Sequence, residues 1–353
     1  MSVFLKSGWK RYGIPALSLV VCGAALWLNR GTLDEIAKRG PNLSFLVLGT
    51  GLLVVETFIV SFRWGLILRC ANVPIAYGNV VRLIVFSRAS QLLLPLPSGN
   101  DLALLGLVAS SVPRRVSAMG TVMIDRVIGL TGLFTLAAVV GTAARLARSG
   151  PHELLDGLQA LTVVATLGLW GLLGLMLSGP ARDLVIRLTP TSRGKHFLSD
   201  LSHGLQGLAA RPAVFLLTAG LAMVTHLFTT TAFYFATCAL RLTEAGGGWS
   251  DFVLVVPFIF VTTVLPIPVG AIVATLSVSE QLFRMIGLEG GAIAFLGYNV
   301  VAIASVCLLL PALWLVGMAA GRKGKEPTSS ENSKPQDVSR EVAADCIAEA
   351  SNR

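Results

Sequence analysis

The stretch LLLPLPSG at residues 92–99 interrupts one apolar region of the chain, and VLPIPVG at residues 264–270 interrupts another. Proline removes a backbone donor and clashes with the preceding helical turn, so each stretch breaks a helix. The regions around the breaks, 78–116 and 251–288, are too long for one membrane span, while the legs Leu102–Val112 and Phe252–Leu265 are too short to cross. We therefore expect two re-entrant broken-helix hairpins. Their breaks fall at Pro95, Pro97, Gly99, Pro266, Pro268 and Gly270.

The remaining apolar segments predict an all-α polytopic membrane protein. The chain has 353 residues, of which 54% are hydrophobic and only 13% are charged. Its apolar runs are continuous rather than alternating, which favours membrane helices over a closed barrel. Runs of roughly 20 residues can each cross a bilayer. We place about six full transmembrane helices at 13–29, 43–62, 118–142, 157–178, 213–240 and 291–320.

The order of these segments repeats once along the chain. Residues 1–150, with hairpin 78–116, and residues 151–320, with hairpin 251–288, both read span, span, broken hairpin, span. Three crossings is an odd number, so the second repeat is expected to lie upside down relative to the first. Discontinuous helices in corresponding positions of two inverted repeats are typical of transporters.

The distribution of basic residues predicts the orientation. The net charge is +9, which in a membrane protein usually comes from Lys and Arg in cytoplasmic loops. With the N-terminus inside, most loop cations fall on the cytoplasmic side, and we counted Arg63, Arg69 and Arg82 among them. Both termini are therefore expected in the cytoplasm. The polar segment 321–353 predicts a disordered cytoplasmic tail.

Several ionisable residues lie in segments predicted to be inside the membrane, where they are expensive and often functional. Asp101 could cap the returning leg of the first hairpin or form a polar site at depth. Arg88 could reach the cytoplasmic surface or turn inward towards a lipid phosphate. Glu56 is a weaker candidate of the same kind. His226, a lone polar residue, predicts a hydrogen bond between helices.

Adjacent residues on a helix do not face each other, so Asp125 and Arg126 each need a partner on another segment. That partner could form an ion pair that locks the helices together, or both residues could face a substrate. Glu280 and Arg284 stand in the order that favours a local i,i+4 salt bridge, but Glu280 could instead complement the first hairpin. The candidate substrate-binding residues are thus Arg88, Asp101, Asp125, Arg126, Glu280 and Arg284.

Several chemistries have no motif in the sequence. No GxxxxGK[ST] loop is present to bind a nucleotide, and no HExxH or Cys/His cluster is present to bind a metal. The polar loops are too short for a soluble catalytic domain. We therefore expect no enzyme activity, no catalytic residues, no metal and no cofactor, and the basic charge does not indicate nucleic acid as a partner.

The stretches RWGLILRCANVPIAY (63–77), LLPLPSGND (93–101) and VMIDRVIGL (122–130) resemble the flippase-like integral membrane family. That family also forms the membrane region of lysylphosphatidylglycerol synthases. Its first hairpin carries Leu-Pro…Gly-Gly-Asp-x-x-Arg, followed by Asp-Arg-x-x-Gly-Leu, and its second carries Leu-Pro…Gly-Gly-x-Gly-Val-x-Glu. The matching positions here are Pro95, Gly99, Asp101, Asp125, Arg126, Gly129, Leu130, Leu265, Pro266, Gly270, Val278 and Glu280.

Two positions depart from the family pattern. Leu104 stands where an arginine is expected, and AIVATLS at 271–277 replaces a compact glycine cluster. We expect no synthase domain among these residues, because their polar loops are too short to hold one. The resemblance implies a lipid translocator in a bacterial cytoplasmic membrane, which moves a polar-headgroup lipid or glycolipid between leaflets.

Two other functions remain open at this point. The chain could be a non-transporting partner of an envelope-lipid or glycan synthesis enzyme, or, with less support, an intramembrane enzyme acting on prenyl-phosphate sugars. Membrane lipids are the expected partners in each case. The near balance of interior charges favours neither an anionic nor a cationic headgroup.

Overall fold

A computed structural model describes residues 27, 30–38, 40–73, 75–93, 104, 106, 115–147, 153–178, 206–243, 248–264 and 271–323. Within these ranges the chain is helical and contains no strand. It divides into a compact unit over Met1–Trp314 and a second unit over Leu315–Arg353. The helices are α1 (Arg30–Lys38), α2 (Leu43–Cys70), α3 (Tyr77–Leu93), α4 (Arg115–Ala147), α5 (Glu153–Leu177), α6 (Pro212–Ala239), α7 (Trp249–Val264), α8 (Ala271–Met285) and α9 (Gly291–Lys323).

Five of these helices are long and apolar enough to cross a membrane. The spanning segments are Leu43–Cys70, Gly120–Ala147, Leu154–Leu175, Pro212–Ala239 and Gly291–Leu313. They confirm the prediction of an all-α membrane protein for five of the six expected spans. The expected first span, at 13–29, lies outside the described residues apart from Trp27.

Helix α2 is longer than the sequence predicted. Its predicted end was residue 62, because hydropathy falls at the charged Arg63, but the helix continues to Cys70. Arg63 is buried, so its assignment to an exposed cytoplasmic loop was wrong. The side chain of Asn42 caps the first turn by accepting a hydrogen bond from the backbone N–H of Ser44 at 3.0 Å.

Helices α2 and α6 pack against each other in opposite directions. At one end the backbone N–H of Asn42 donates to the carbonyl of Ala239 at 2.9 Å, and the ring centroids of Phe45 and Phe235 lie 5.8 Å apart. Further along α2, Arg63 reaches back to Thr225. Residue numbers therefore rise along α2 as they fall along α6, which makes the pair antiparallel.

The shorter helices pack across the two halves of the chain. Helix α3 contacts α9 through an apolar cluster that contains Val85 and Leu309. Helix α7 contacts α4, with the rings of Phe134 and Phe258 in an edge-to-face arrangement at 5.7 Å. Each half therefore contributes one short helix that packs on a long helix of the other half.

Helices α7 and α8 form an antiparallel pair. Phe252 lies beside Phe283, with ring centroids 5.4 Å apart, and the hydroxyls of Thr262 and Thr275 lie within 2.8 Å of each other. The two helices have 16 and 15 residues, or about 24 and 22 Å at 1.5 Å per residue. Neither would cross a hydrocarbon core of about 30 Å unaided. The break at 265–270 and the first break at 95–99 lie outside the described residues.

Candidate functional site

Helix α2 carries two buried charges, Glu56 and Arg63, on one face. Seven residues form almost two helical turns, so the two side chains point in nearly the same direction and are separated by about 10 Å along the axis. Glu56 lies at the middle of this 28-residue helix. Each charge is paired with a residue of opposite sign on a different helix.

Arg63 forms a two-pronged ion pair with Asp125 of α4. Nε donates to Oδ1 at 2.9 Å and Nη2 donates to Oδ2 at 3.0 Å, while Nη1 donates to the hydroxyl of Thr225 on α6 at 3.2 Å. The side chains of Arg63 and Asp125 are only 4% and 8% exposed. This arrangement confirms the prediction that Asp125 has a partner on another segment, and it ties α2, α4 and α6 together.

Gly129 provides space beside this ion pair. A Cβ at this position would lie 3.7 Å from Nη2 of Arg63 and 3.8 Å from Nε2 of His226. His226 makes a hydrogen bond to the backbone of Gly129, which confirms the predicted bond between helices. Arg126 lies close enough to influence His226 electrostatically and has interactions of its own.

The second buried pair joins Arg88 of α3 to Glu56. Nη2 donates to Oε1 at 2.8 Å, and Nη1 donates to the hydroxyl of Thr57 at 2.8 Å. Arg88 therefore turns inward rather than reaching for the membrane surface. Its side chain is 22% exposed, whereas that of Glu56 is 7% exposed.

One nitrogen of Arg88 holds the carboxylate of Glu56. Nη2 donates to Oε1 and lies 2.7 Å from Oε2, which has no other partner among the described residues. Tyr298 of α9 lies within electrostatic range of both Glu56 and Arg88. Three helices therefore meet around an ion pair that depends on a single donor nitrogen.

Glu280 and Arg284 lie close together on α8. Their closest atoms are 3.6 Å apart, which confirms the predicted local contact, and the side chain of Arg284 is 71% exposed. Glu280 also accepts from the backbone N–H of Ala292 at 3.2 Å and of Gly290 at 3.5 Å. It thus caps the first turn of α9, where N–H groups otherwise lack partners.

Asp101 lies outside the described residues. Arg88 and Asp125 each pair with a residue of α2, whereas Glu280 lies with Arg284 on α8. Leu104, the departure from the family pattern, is buried in an apolar cluster with Trp64 and Ile84. An arginine there would place its charge among apolar side chains, so the leucine suits its surroundings.

Sequence reasoning missed Arg63 and Thr225 and ranked Glu56 low. The spacing of Glu56 and Arg63 by seven residues was a usable signal, because it places both charges on one helix face. Because the predicted span ended at residue 62, Arg63 was assigned to a loop and its spacing from Glu56 was not recognised. Thr225 carried no signal, since threonines are frequent in this chain's helices and only the fold brings this one to Arg63.

Comparison with protein-family models, with curated proteins and with solved structures finds no match to this chain.

Proposed function

We propose that this protein is a lipid translocator that moves a polar-headgroup lipid between the leaflets of a bacterial cytoplasmic membrane. The observation that carries the proposal is the Arg88–Glu56 pair at the middle of a membrane-length helix. Charges at such depth are rare and tend to mark substrate pathways. An arginine whose side chain is 22% exposed beside a buried carboxylate leaves room for a ligand to reach it.

An inverted repeat belongs to the same proposal. It is supported by the antiparallel packing of α2 and α6, which hold corresponding positions in the two halves. It is supported further by the reciprocal packing of α3 on α9 and of α7 on α4. In this arrangement two broken segments approach the interior from opposite leaflets, and a headgroup passes between them while the acyl chains stay in lipid.

We interpret the short motifs as those of the flippase-like family. The contacts of Asp125 and Gly129 support this interpretation best. Asp125 holds Arg63, and Gly129 leaves space beside that arginine. The motif would therefore build the scaffold of the pathway, while Arg88 and Glu56 face the headgroup.

The direct test is a flip assay with purified protein in vesicles that contain fluorescent phospholipids. We expect Arg88→Gln to slow flipping about tenfold, and the control Arg145→Gln, which removes an exposed arginine, to leave the rate unchanged. No flipping by the wild type would contradict translocation, and equal rates for all three proteins would contradict the role of Arg88. Absence of flipping together with co-purification of a lipid-synthesis enzyme would favour the non-transporting partner.

The orientation of the halves has its own test in a variant without cysteines. Single cysteines are introduced as Ala76→Cys, after the end of α2, and Arg241→Cys, after the end of α6. Both positions are exposed. An impermeant thiol reagent should label them from opposite sides of the membrane. Labelling of both from one side would contradict the inverted arrangement.

A further inference from the structure

We propose that the Arg88–Glu56 pair is an exchange site for an anionic phosphate group, in which the phosphate displaces the carboxylate from Arg88 and Glu56 takes up one proton. This inference rests on the proposed function and adds the substrate class and the coupling ion to it. The sequence alone favours neither an anionic nor a cationic headgroup. The geometry around Arg88 favours an anionic group.

Arg88 has donors to spare for a phosphate. A guanidinium carries five N–H donors, and Arg88 uses one for Glu56 and one for Thr57. Its side chain also keeps a 22% exposed surface. The planar fork of arginine matches two oxygens of a phosphate, which makes such contacts strong and directional. Arg63, by contrast, engages three nitrogens and is almost fully enclosed.

Glu56 is held loosely enough to be displaced. Both of its oxygens are held by one nitrogen of Arg88, with Nη2 2.8 Å from Oε1 and 2.7 Å from Oε2. The attraction that a phosphate must overcome is therefore that of a single donor nitrogen. The Asp125 carboxylate would have to give up two parallel hydrogen bonds to Arg63 in the equivalent step.

Arg88 on α3 is the cation that pairs with Glu56, and Tyr298 on α9 lies within electrostatic range of both. The groups on α4 and α6, led by Asp125 and His226, surround Arg63 about 10 Å further along α2. An isolated carboxylate away from water neutralises by binding a proton.

The charges balance in this exchange. The resting pair carries one positive and one negative charge, and the arriving phosphate diester carries one negative charge. After exchange, Arg88 pairs with the phosphate and the protonated Glu56 is neutral, so one proton has entered with each anion. Release of the phosphate reverses the step and returns the proton.

The test measures proton uptake during binding, separately from transport. Purified protein in detergent is titrated with short-chain phosphatidylglycerol by calorimetry, in two buffers that differ in ionisation enthalpy. We expect uptake of about one proton per bound lipid, and an affinity that falls about tenfold for each unit of rising pH. Binding without proton uptake would overturn the proposal.

Two variants identify the group that takes up the proton. Glu56→Gln is nearly isosteric and should bind the lipid with no proton uptake and no dependence on pH. Asp156→Asn removes a partly exposed carboxylate on α5 and should behave as wild type. Unchanged proton uptake in Glu56→Gln would overturn the assignment. If Glu56→Gln fails to fold, Glu56→Asp, which keeps a carboxylate at greater distance from Arg88, should retain uptake with altered affinity, and loss of pH dependence in it would contradict us.

Dimethyl phosphate, a diester that carries one negative charge as the lipid phosphate does, serves as a second probe in the same titration. Uptake with both ligands assigns recognition to the phosphate itself, and uptake with the lipid alone assigns it to a lipid headgroup; both results support exchange. Uptake with neither overturns it. Proton-coupled binding without flipping would remove the translocator and keep the exchange site, whereas flipping without proton uptake would do the reverse.

Discussion

The two ion pairs on helix α2 differ in how completely they are closed. Arg63 and Asp125 share two parallel hydrogen bonds, with Thr225 filling a third donor, and both side chains are almost fully buried. One nitrogen of Arg88 contacts both oxygens of Glu56, at 2.8 and 2.7 Å, and the Arg88 side chain is partly exposed. The first pair is built to stay together, and the second can exchange its partner.

This difference indicates which buried charges stabilise the fold. Removing one partner from a closed pair leaves an uncompensated charge, which is strongly destabilising. A pair whose arginine is partly exposed loses less when one member changes, because water or a ligand can reach that arginine. Mutations in the Arg63–Asp125 pair should therefore lower stability more than mutations in the Arg88–Glu56 pair. For ligand binding the order should be reversed, with the larger effect from the Arg88–Glu56 pair.

The largest effect is expected for Asp125→Ala, which strands Arg63 in the interior. Loss of one partner of a buried pair typically costs about 3–5 kcal/mol. Thermal unfolding of the purified protein in detergent should show a large fall in melting temperature or no folded protein. The control is Asp156→Ala, which removes the partner of the more exposed Arg145. Similar melting temperatures for the two variants would contradict the structural role of Asp125.

The next effect concerns Gly129, which lies beside the same pair. A Cβ there would make ordinary contacts with Arg63 and His226, so Gly129→Ala should be tolerated. Gly129→Leu should lower stability by about 1–3 kcal/mol, because additional atoms crowd a well-packed interior. Parallel thermal unfolding of both variants checks this. Equal stability of the two would show that the Arg63 side is more open than the geometry indicates.

Arg88→Gln should destabilise the protein less, by about 1–2 kcal/mol at neutral pH, since the pair is partly exposed. Thermal unfolding of the purified protein in detergent measures this penalty. A fall in melting temperature as large as that of Asp125→Ala would contradict the difference between the two pairs.

The smallest effect is expected for Arg284→Gln on α8. Arg284 is 71% exposed and its contact with Glu280 spans 3.6 Å. Exposed ion pairs contribute about 0–1 kcal/mol, and Glu280 keeps its hydrogen bonds to the start of α9. The melting temperature should stay near that of the wild type. A fall as large as that of Asp125→Ala would show that α8 depends on this pair.

The sequence predicted most of the helices because their signals are local. The expected span 213–240 corresponds to α6 at Pro212–Ala239, and 157–178 corresponds to α5 at Glu153–Leu177. The partner of Asp125 could not be predicted, because Arg63 stands 62 positions away and only packing brings them together. The end of α2 was misplaced for the same reason, since a charge that is neutralised by a distant helix looks like a loop residue in a hydropathy profile.

The most direct test uses a phospholipid with a photoreactive group in its headgroup, cross-linked to the protein in membranes and mapped by mass spectrometry. If headgroups enter the interior through the open pair, adducts should form on α2, α3 and α9 around Glu56, Arg88 and Tyr298. They should disappear in Arg88→Gln and persist in Arg284→Gln. Adducts confined to outward-facing surfaces, or unchanged in Arg88→Gln, would contradict entry of a headgroup into the interior.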